Sequence, residues 1–344
     1  MISITRFALL LAALVVCESA CDSDTDSADD WLTVGEWEDL EFPHVVHNLK
    51  IEDPSLFVAA GKEGLWRKDL RRKASPWEFV GLAHTSETPW TIVGVSHVEK
   101  HILAANSPEN VEVGTVGVMR RPNDLNTWVR SDSGMITDTK QYSFIDDIAR
   151  SPTDPTIVVA VAGDIYRSAD SGISWERVFR GGLTGSRSGL SWNPGASGQV
   201  WAYWVSPFDT YVLLKSLDGG QTWAFSDQAL ATDIEFMAFD AEDPSTIYAS
   251  NRGAALRSQD DGETWQTIFR STLAGTASHG SVGGIVFFAT SAGLAVSKNS
   301  GITRTTIPLP RTDIEPARLL FDGVTSSILV TGKAGNVYRY KYGG

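Results

Sequence analysis

Acidic residues at corresponding points of repeated units are the strongest candidates for chemistry in this sequence. Asp146, Asp147 and Glu235 each lie in a stretch predicted to form the innermost strand of a unit, and so does Asp313. Asp146 and Glu235 coincide when the Asp-Pro turns that follow them are superposed, so the two could face one side of the fold. Glycoside hydrolysis needs two carboxyl groups, about 5–5.5 Å apart for retention or about 6.5–9.5 Å for inversion. The alternative is that these side chains are solvated ends of strands.

Other catalytic chemistries lack the residues that they require. His97 and His101 are four apart, which suits a metal on a helix, but they flank a predicted β-hairpin, where that spacing does not converge on one site. The six histidines have no evident serine or cysteine partner, and no phosphate-binding glycine loop is present. We therefore predict no metal and no cofactor. The net charge of −13, from 29 basic and 42 acidic residues, argues against nucleic-acid binding.

The first 20 residues have the features of an export signal. Arg6 precedes ten apolar residues at 7–16, a run shorter than the roughly 20 that span a bilayer. Residues 18–21 read Glu-Ser-Ala-Cys and resemble a bacterial lipobox, with glutamate where leucine is usual. The resemblance implies a lipid on the Cys21 thiol. The alternative is an ordinary cleavage site after Ala20, with Cys21 incidental.

The segment after the leader is predicted to be a flexible tether over residues 21–35. Residues 22–42 contain nine acidic residues and no basic one, whereas residues 43–344 contain 28 basic and 32 acidic residues. Cys17 and Cys21 are the only cysteines, so a disulfide framework is excluded. We expect an exported protein, lipid-anchored to a bacterial envelope membrane on its periplasmic or cell-surface side. The sequence leaves the inner and outer membranes as alternatives.

Four segments share the pattern S-x-D-x-G-x-[ST]-W, the last of them in degenerate form. Their glycines are 48, 42 and 39 residues apart, a spacing typical of β-propeller blades. Glycine supplies a positive φ, the Asp and Ser side chains accept turn N–H groups, and Trp begins the next strand. The residues to which we assign these structural roles are Ser168, Asp170, Gly172, Trp175, Ser216, Asp218, Gly220, Trp223, Ser258, Asp260, Gly262, Trp265, Asn299 and Gly301.

Strand patterns extend this repeat to seven units. The central residues of their third strands are predicted to be Trp66, Met119, Tyr166, Leu213, Leu256, Ala295 and Tyr338. The last unit ends before its fourth strand, and residues 36–42 resemble the missing strand. We therefore predict an all-β fold over residues 36–344. It is a seven-bladed propeller of four-stranded blades, with the N-terminal segment supplying the outer strand of the last blade.

The repeated pattern resembles the Asp-box, also called the bacterial neuraminidase repeat. Propellers with this repeat include sialidases, xyloglucan-cleaving endoglucanases, sortilin ectodomains and photosystem II assembly factors. The lone seven-bladed ring is most similar to the assembly-factor-like and sortilin-like exported propellers. Sialidases need three arginines on the substrate carboxylate, and the Arg-Ile-Pro motif is absent here. Arginines 67, 120, 167 and 257 instead occupy one repeated strand position, which indicates a structural series.

Two functions remain open at this level. The first is a monomeric, membrane-anchored and non-catalytic platform that binds a protein or peptide across one face of the ring. The second is a carbohydrate-active propeller, either a glycoside hydrolase of sialidase or xyloglucanase type or a glycan binder. Four further tryptophans could stack on sugars in that case: Trp90, Trp192, Trp201 and Trp204.

Overall fold

The computed structural model describes residues 35–344 with internal gaps. Residues in that range that it does not describe are 53, 73, 85–90, 99–100, 108–116, 124–125, 136–144, 182–186, 206–210, 227–233, 235, 241–242, 251–252, 271–280, 283–284, 291, 300, 315, 323–326, 333 and 343–344. The described part contains strands and turns without a helix. Its strands form seven four-stranded sheets, which confirms the predicted all-β, seven-bladed propeller.

The first four blades follow one another along the chain, each with its first strand innermost. Blade 1 contains β2 to β5, at Asn48–Glu52, Ser55–Ala59, Leu65–Asp69 and Glu78–Gly81. Blade 2 contains β6 to β9, at Thr91–Val98, His101–Ser107, Val118–Pro122 and Val129–Arg130. Blade 3 contains β10 to β13, at Asp147–Arg150, Val158–Ala162, Asp164–Ser168 and Glu176–Phe179. Blade 4 contains β14 to β17, at Arg187–Trp192, Val200–Val205, Tyr211–Ser216 and Ala224–Phe225.

The last three blades complete the ring. Blade 5 contains β18 to β21, at Phe236–Phe239, Ile247–Ser250, Ala254–Ser258 and Gln266–Arg270. Blade 6 contains β22 to β25, at Ser281–Val282, Ile285–Thr290, Gly293–Ser297 and Thr305–Ile307. Blade 7 contains β26 to β28, at Pro316–Asp322, Ser327–Gly332 and Gly335–Tyr342, together with β1 at Gly35–Asp39.

The N-terminal strand closes the ring. β1 pairs antiparallel with β28, so blade 7 joins the two ends of the described chain. Tyr338 pairs with Asp39. In blade 3, Tyr166 pairs with Arg177 in the same way. Trp37 lies two residues before Asp39, the position that Trp175 has relative to Arg177. The predicted closure by the N-terminal segment is confirmed.

The repeated turns are held by one set of hydrogen bonds. In blade 3 the Gly172 N–H donates to the Ser168 hydroxyl at 2.8 Å, and the Ser174 N–H and hydroxyl donate to the Asp170 carboxylate at 2.8 and 2.5 Å. The turns of blades 4 and 5 repeat these bonds. In blade 6, Asn299 accepts the turn N–H through its amide oxygen, so the backbone arrangement survives the loss of the carboxylate. These bonds satisfy turn N–H groups that no strand pairs.

Each turn glycine also brings its blade close to the preceding blade. A Cβ on Gly172 would lie 2.6 Å from Leu103 of β7, and one on Gly262 would lie 2.5 Å from Trp201 of β15. Gly172 and Gly262 have φ values of 81° and 87°, so a side chain is opposed by both conformation and space. The repeat therefore specifies the joint between blades as well as the turn within each blade.

Candidate functional site

The first strands of the blades surround the axis of the ring, and charged side chains approach one another across it. Arg150 of β10 forms an ion pair with Glu52 of β2 at 3.3 Å, although blade 2 separates their two blades. The Asp147 carboxylate interacts electrostatically with Arg318 of β26 and Lys50 of β2, from blades 7 and 1. Contacts between blades that are not neighbours place these groups in the central channel.

Asp146 and Asp147 join blade 3 to blade 4. The Ser188 hydroxyl donates to the Asp146 carboxylate at 2.5 Å, and the Leu190 N–H donates to the Asp147 carboxylate at 3.0 Å. Asp147 also accepts the Ile148 N–H at 2.9 Å. Asp147 begins β10 and Asp146 directly precedes it, so both lie at a strand end as expected; both are partly buried, and both carboxylates accept a hydrogen bond from the innermost strand of blade 4.

Burial raises the pKa of both carboxyl groups. Burial raises the pKa of Asp146 to about 6, against the hydrogen bond from Ser188. Burial also raises the pKa of Asp147, and this rise is opposed by its N–H donors and by the charges of Arg318 and Lys50. A carboxyl group whose pKa is raised toward neutral pH is suited to general acid or base catalysis.

Lys50 and Arg318 are the channel residues that sequence reasoning missed. They lie 268 positions apart, and no motif connects them. Arg318 is half-buried, and its guanidinium lies 5.7 Å from the Phe236 ring centroid. Within the described residues, neither cation makes a hydrogen bond or a close ion pair, so each is available to a ligand. The predicted innermost stretches contain neither residue, so the sequence offered no signal for them.

The remaining predicted carboxylates do not join this site. Glu235 lies outside the described residues. Asp313 is exposed in the segment before β26 and pairs with Arg311 at 2.6 Å, so its predicted place on an innermost strand is wrong. The structure therefore has Asp146 and Asp147 at one innermost strand, whereas the predicted partner from the second blade, Glu235, is outside the described part of the chain.

The predicted histidine hairpin and sugar-stacking tryptophans have structural surroundings. β6 and β7 form a hairpin, as expected, and His101 lies 2.5 Å from the Ser171 carbonyl oxygen. Burial lowers the pKa of His101. Trp201 is 1% exposed, which leaves no face for a sugar, and the Trp192 indole donates to the Ala149 carbonyl. Trp90 and the side chains of His97 and Trp204 lie outside the described part.

The described ranges lack both a metal-binding cluster and a membrane-spanning helix. They hold no cluster of histidine, cysteine and acidic side chains that could bind a metal ion. No helix among them has the length and apolar character to cross a bilayer.

The fold and the channel define a seven-bladed β-propeller with a charged lumen. It is similar to YCF48 bound to a D1 peptide, with a TM-score of 0.66 and 16% identity over 90% of this chain and 96% of that chain. It is also similar to YCF48 from Cyanidioschyzon merolae, with a TM-score of 0.65 and 14% identity over 89% of this chain and 98% of that chain. An ancestral GH74 enzyme is similar with a TM-score of 0.64 and 12% identity, over 87% of this chain and 48% of the enzyme. No family model and no curated protein matches the sequence. At these identities the similarity shows the fold alone.

Proposed function

We propose that this protein is a non-catalytic binding platform that holds an acidic segment of a partner protein at its central channel. The observation that carries the proposal is the pair of cations Lys50 and Arg318, which come from different blades. They act on Asp147 through longer-range electrostatics and make no side-chain hydrogen bond or salt bridge within the described residues. The carboxylates beside them are already engaged by Ser188 and by backbone N–H groups. The site thus has unused charge for binding, whereas its acidic groups serve the contact between blades.

A carboxylate is the ligand that this arrangement favours. A guanidinium binds a carboxylate through two parallel hydrogen bonds, and such charge-assisted bonds are about twice as strong as neutral ones. The low dielectric inside the ring strengthens them further. YCF48, a neighbour of similar size, is known with a bound D1 peptide, which supports the idea that a ring of this kind can hold a peptide.

We expect a short fluorescein-labelled peptide ending in Asp-Glu with a free carboxylate to bind the purified propeller. Replacing Lys50→Met or Arg318→Met should weaken binding by at least about tenfold each, because each change removes one charge-assisted contact worth about 1.5–3 kcal/mol. Fluorescence anisotropy measures the dissociation constants, and binding should weaken as salt is added.

The matched control is Arg311→Met, because that arginine is exposed and already paired with Asp313. It should leave binding unchanged. The thermal midpoint of unfolding of each variant should equal that of the wild type. Equal binding of an Asn-Gln peptide amide, or equal losses from all three variants, would contradict the proposal.

Glycoside hydrolysis is the second candidate, and one observation favours it: the Asp146 carboxyl group has its pKa raised to about 6. The GH74 neighbour makes a hydrolytic propeller structurally reasonable. Release of reducing sugar from xyloglucan or a sialoside, lost in Asp146→Asn but retained in Asp313→Asn, would replace the binding platform with this candidate.

The proposal includes export and a lipid anchor. Residues 1–20 would be removed as a lipoprotein signal peptide, Cys21 would carry the lipid, and residues 21–35 would hold the Asp-box propeller of residues 36–344 away from the membrane. Intact mass measurement of the mature protein should show a diacylglyceryl and acyl modification on Cys21. A Cys21→Ser variant that stays in the membrane fraction would contradict the anchor.

A further inference from the structure

A groove at the outer rim between blades 4 and 5 is a second recognition surface, separate from the channel. Its volume is about 360 Å³, within the range of about 300–1,000 Å³ that is usual for ligand pockets. We call it the rim groove. Its principal lining residues are Trp201, Lys215, Leu217, Phe225, Asp261 and Glu263.

The rim groove exists because one cross-strand partner is small. The third and fourth strands pair Arg67 with Glu78 in blade 1, and Arg257 with Gln266 in blade 5. In blade 4 the corresponding residue opposite Lys215 is Ala224. A methyl group in place of an acidic or amide side chain leaves the space beside Lys215 open.

Large apolar side chains border this opening. Phe225 and Leu217 are 63% and 67% exposed, which makes them two of the most exposed large hydrophobic residues described. The Phe225 ring packs edge-on against Phe179 with centroids 5.8 Å apart, so its position is set before any ligand binds. Trp201 forms part of the wall, and its buried indole N–H has no acceptor among the described residues.

The charge of the rim groove is negative. Lys215 is the one cation among the described lining residues, and it forms an ion pair with Asp261, which neutralises it. Asp218 also lines the groove, and its carboxylate stays ionised because turn hydrogen bonds hold its pKa low despite partial burial. The Glu263 carboxylate has no ion-pair partner within the described part of the chain. Three carboxylates against one ammonium group favour a basic occupant.

We propose that the rim groove binds a peptide segment that carries a large apolar side chain beside a lysine or arginine. The apolar side chain enters the space above Ala224 and contacts Phe225, while the basic residue meets Glu263. The chain's own N-terminal segment does not suit this surface, because residues 22–34 contain five aspartates and no basic residue. This occupant is opposite in charge to the acidic segment proposed for the channel, so the two proposals stand or fall separately.

The test uses short fluorescein-labelled peptide amides in which Phe-Lys-Leu-Arg is flanked by Gly and Ser. We expect this peptide to bind with an affinity at least about tenfold higher than versions with Ser for Phe and Leu, or with Glu for Lys and Arg. Phe225→Ala should weaken binding about tenfold, and Glu263→Gln should weaken it several-fold and reduce its salt dependence. Fluorescence anisotropy gives each dissociation constant.

The chain offers matched controls for these changes. Phe79 is the equivalent residue two positions after the blade 1 tryptophan and is 53% exposed, so Phe79→Ala removes the same ring without touching the groove. Ala224→Gln restores the filled arrangement of blade 5, keeps the fold and should abolish binding. Arg318→Met should leave binding of this basic peptide unchanged.

Three outcomes would overturn the proposal. The first is no saturable binding of the basic peptide. The second is an equal effect of Phe225→Ala and Phe79→Ala. The third is evidence for another occupant of the rim groove. Such evidence is either tighter binding of a neutral oligosaccharide or concentration-dependent dimerisation that Ala224→Gln abolishes.

Discussion

Replacing Trp175 with alanine is expected to lower the free energy of unfolding by about 3–5 kcal/mol, the range for deleting a buried aromatic side chain. Trp175 is 5% exposed and belongs to a cluster that contains Leu103 of blade 2 and Val158 of blade 3. Its indole N–H donates to the Ser131 carbonyl oxygen of blade 2 at 2.8 Å. The substitution therefore opens a cavity between two blades and removes a hydrogen bond that joins them.

Trp223→Ala is the matched comparison. Trp223 is half-buried, and its indole donates to the Gly220 carbonyl oxygen within its own turn. We expect its replacement to cost about half as much, because less apolar surface is lost and no bond between blades breaks. Urea titrations followed by circular dichroism measure the free energy of unfolding of both variants. Equal losses would show that the tryptophan acts on its turn alone, and that the junction of blades 2 and 3 adds nothing.

The second large effect is expected at the ring closure. The Arg339 side chain is 5% exposed and donates to the Glu38 carboxylate of β1 at 2.6 and 3.1 Å, while Lys341 lies 2.8 Å from the same carboxylate. Glu38→Gln would leave a buried guanidinium without its counter-charge. Breaking a buried pair in this way costs several kcal/mol, and about 2–3 kcal/mol is expected here because Glu38 is 34% exposed and Arg339 keeps its bond to Leu70.

The cost of Glu38→Gln should depend on pH. Burial alone would raise the pKa of Glu38, but hydrogen bonds from Lys341 and Arg339 outweigh it and hold that pKa below its ordinary value of 4.5. A carboxyl group with a lowered folded-state pKa stabilises the fold fully above its unfolded-state pKa. The difference in unfolding free energy between wild type and variant should thus be constant near neutral pH. It should shrink as the pH falls below about 4.5.

Comparing each variant with wild type at the same pH isolates the contribution of the Glu38 carboxylate to the free energy of unfolding. The raised pKa of Asp146 has the opposite sign, since its contribution is present below its ordinary pKa of 3.8 and is lost as the pH rises through about 6. That contribution is common to both proteins and cancels. Glu36→Gln, at an exposed residue of the same strand, is the control and should cost less than about 0.5 kcal/mol. A pH-independent cost for Glu38→Gln would contradict the ion-pair explanation.

The architecture followed from the sequence because propeller blades are local repeats. Each blade is a meander of neighbouring strands, so alternating apolar residues and a turn pattern suffice to locate it. The glycines at 172, 220, 262 and 301 indicated the period, and the truncated last unit together with the strand-like residues 36–42 indicated the closure. The signals within each blade lie within a few tens of residues of one another, whereas the closure was inferred from a strand missing at one end of the repeat and a matching strand pattern at the other.

The site was only partly predictable. The sequence placed Asp146 and Asp147 at an innermost strand, and the structure has them at the start of β10, but their partners Ser188 and Leu190 belong to the next blade, and the sequence carries no sign of that contact. The same limit applies to Trp175, which resembles Trp223 in sequence. The difference in their burial comes from residues 131–135 of blade 2, which run beside the blade 3 turn.

The sequence by itself thus determined the number of blades, their order, the turn chemistry and the strand that completes the ring. The tertiary structure alone decided which charges share the channel and where the rim opens. Lys50 and Arg318 meet Asp147 because closing the ring brings three distant blades to one axis. The rim groove arises because Ala224, an unremarkable residue in the sequence, stands where other blades have a longer side chain. Both depend on what surrounds a residue in space, which local patterns do not encode.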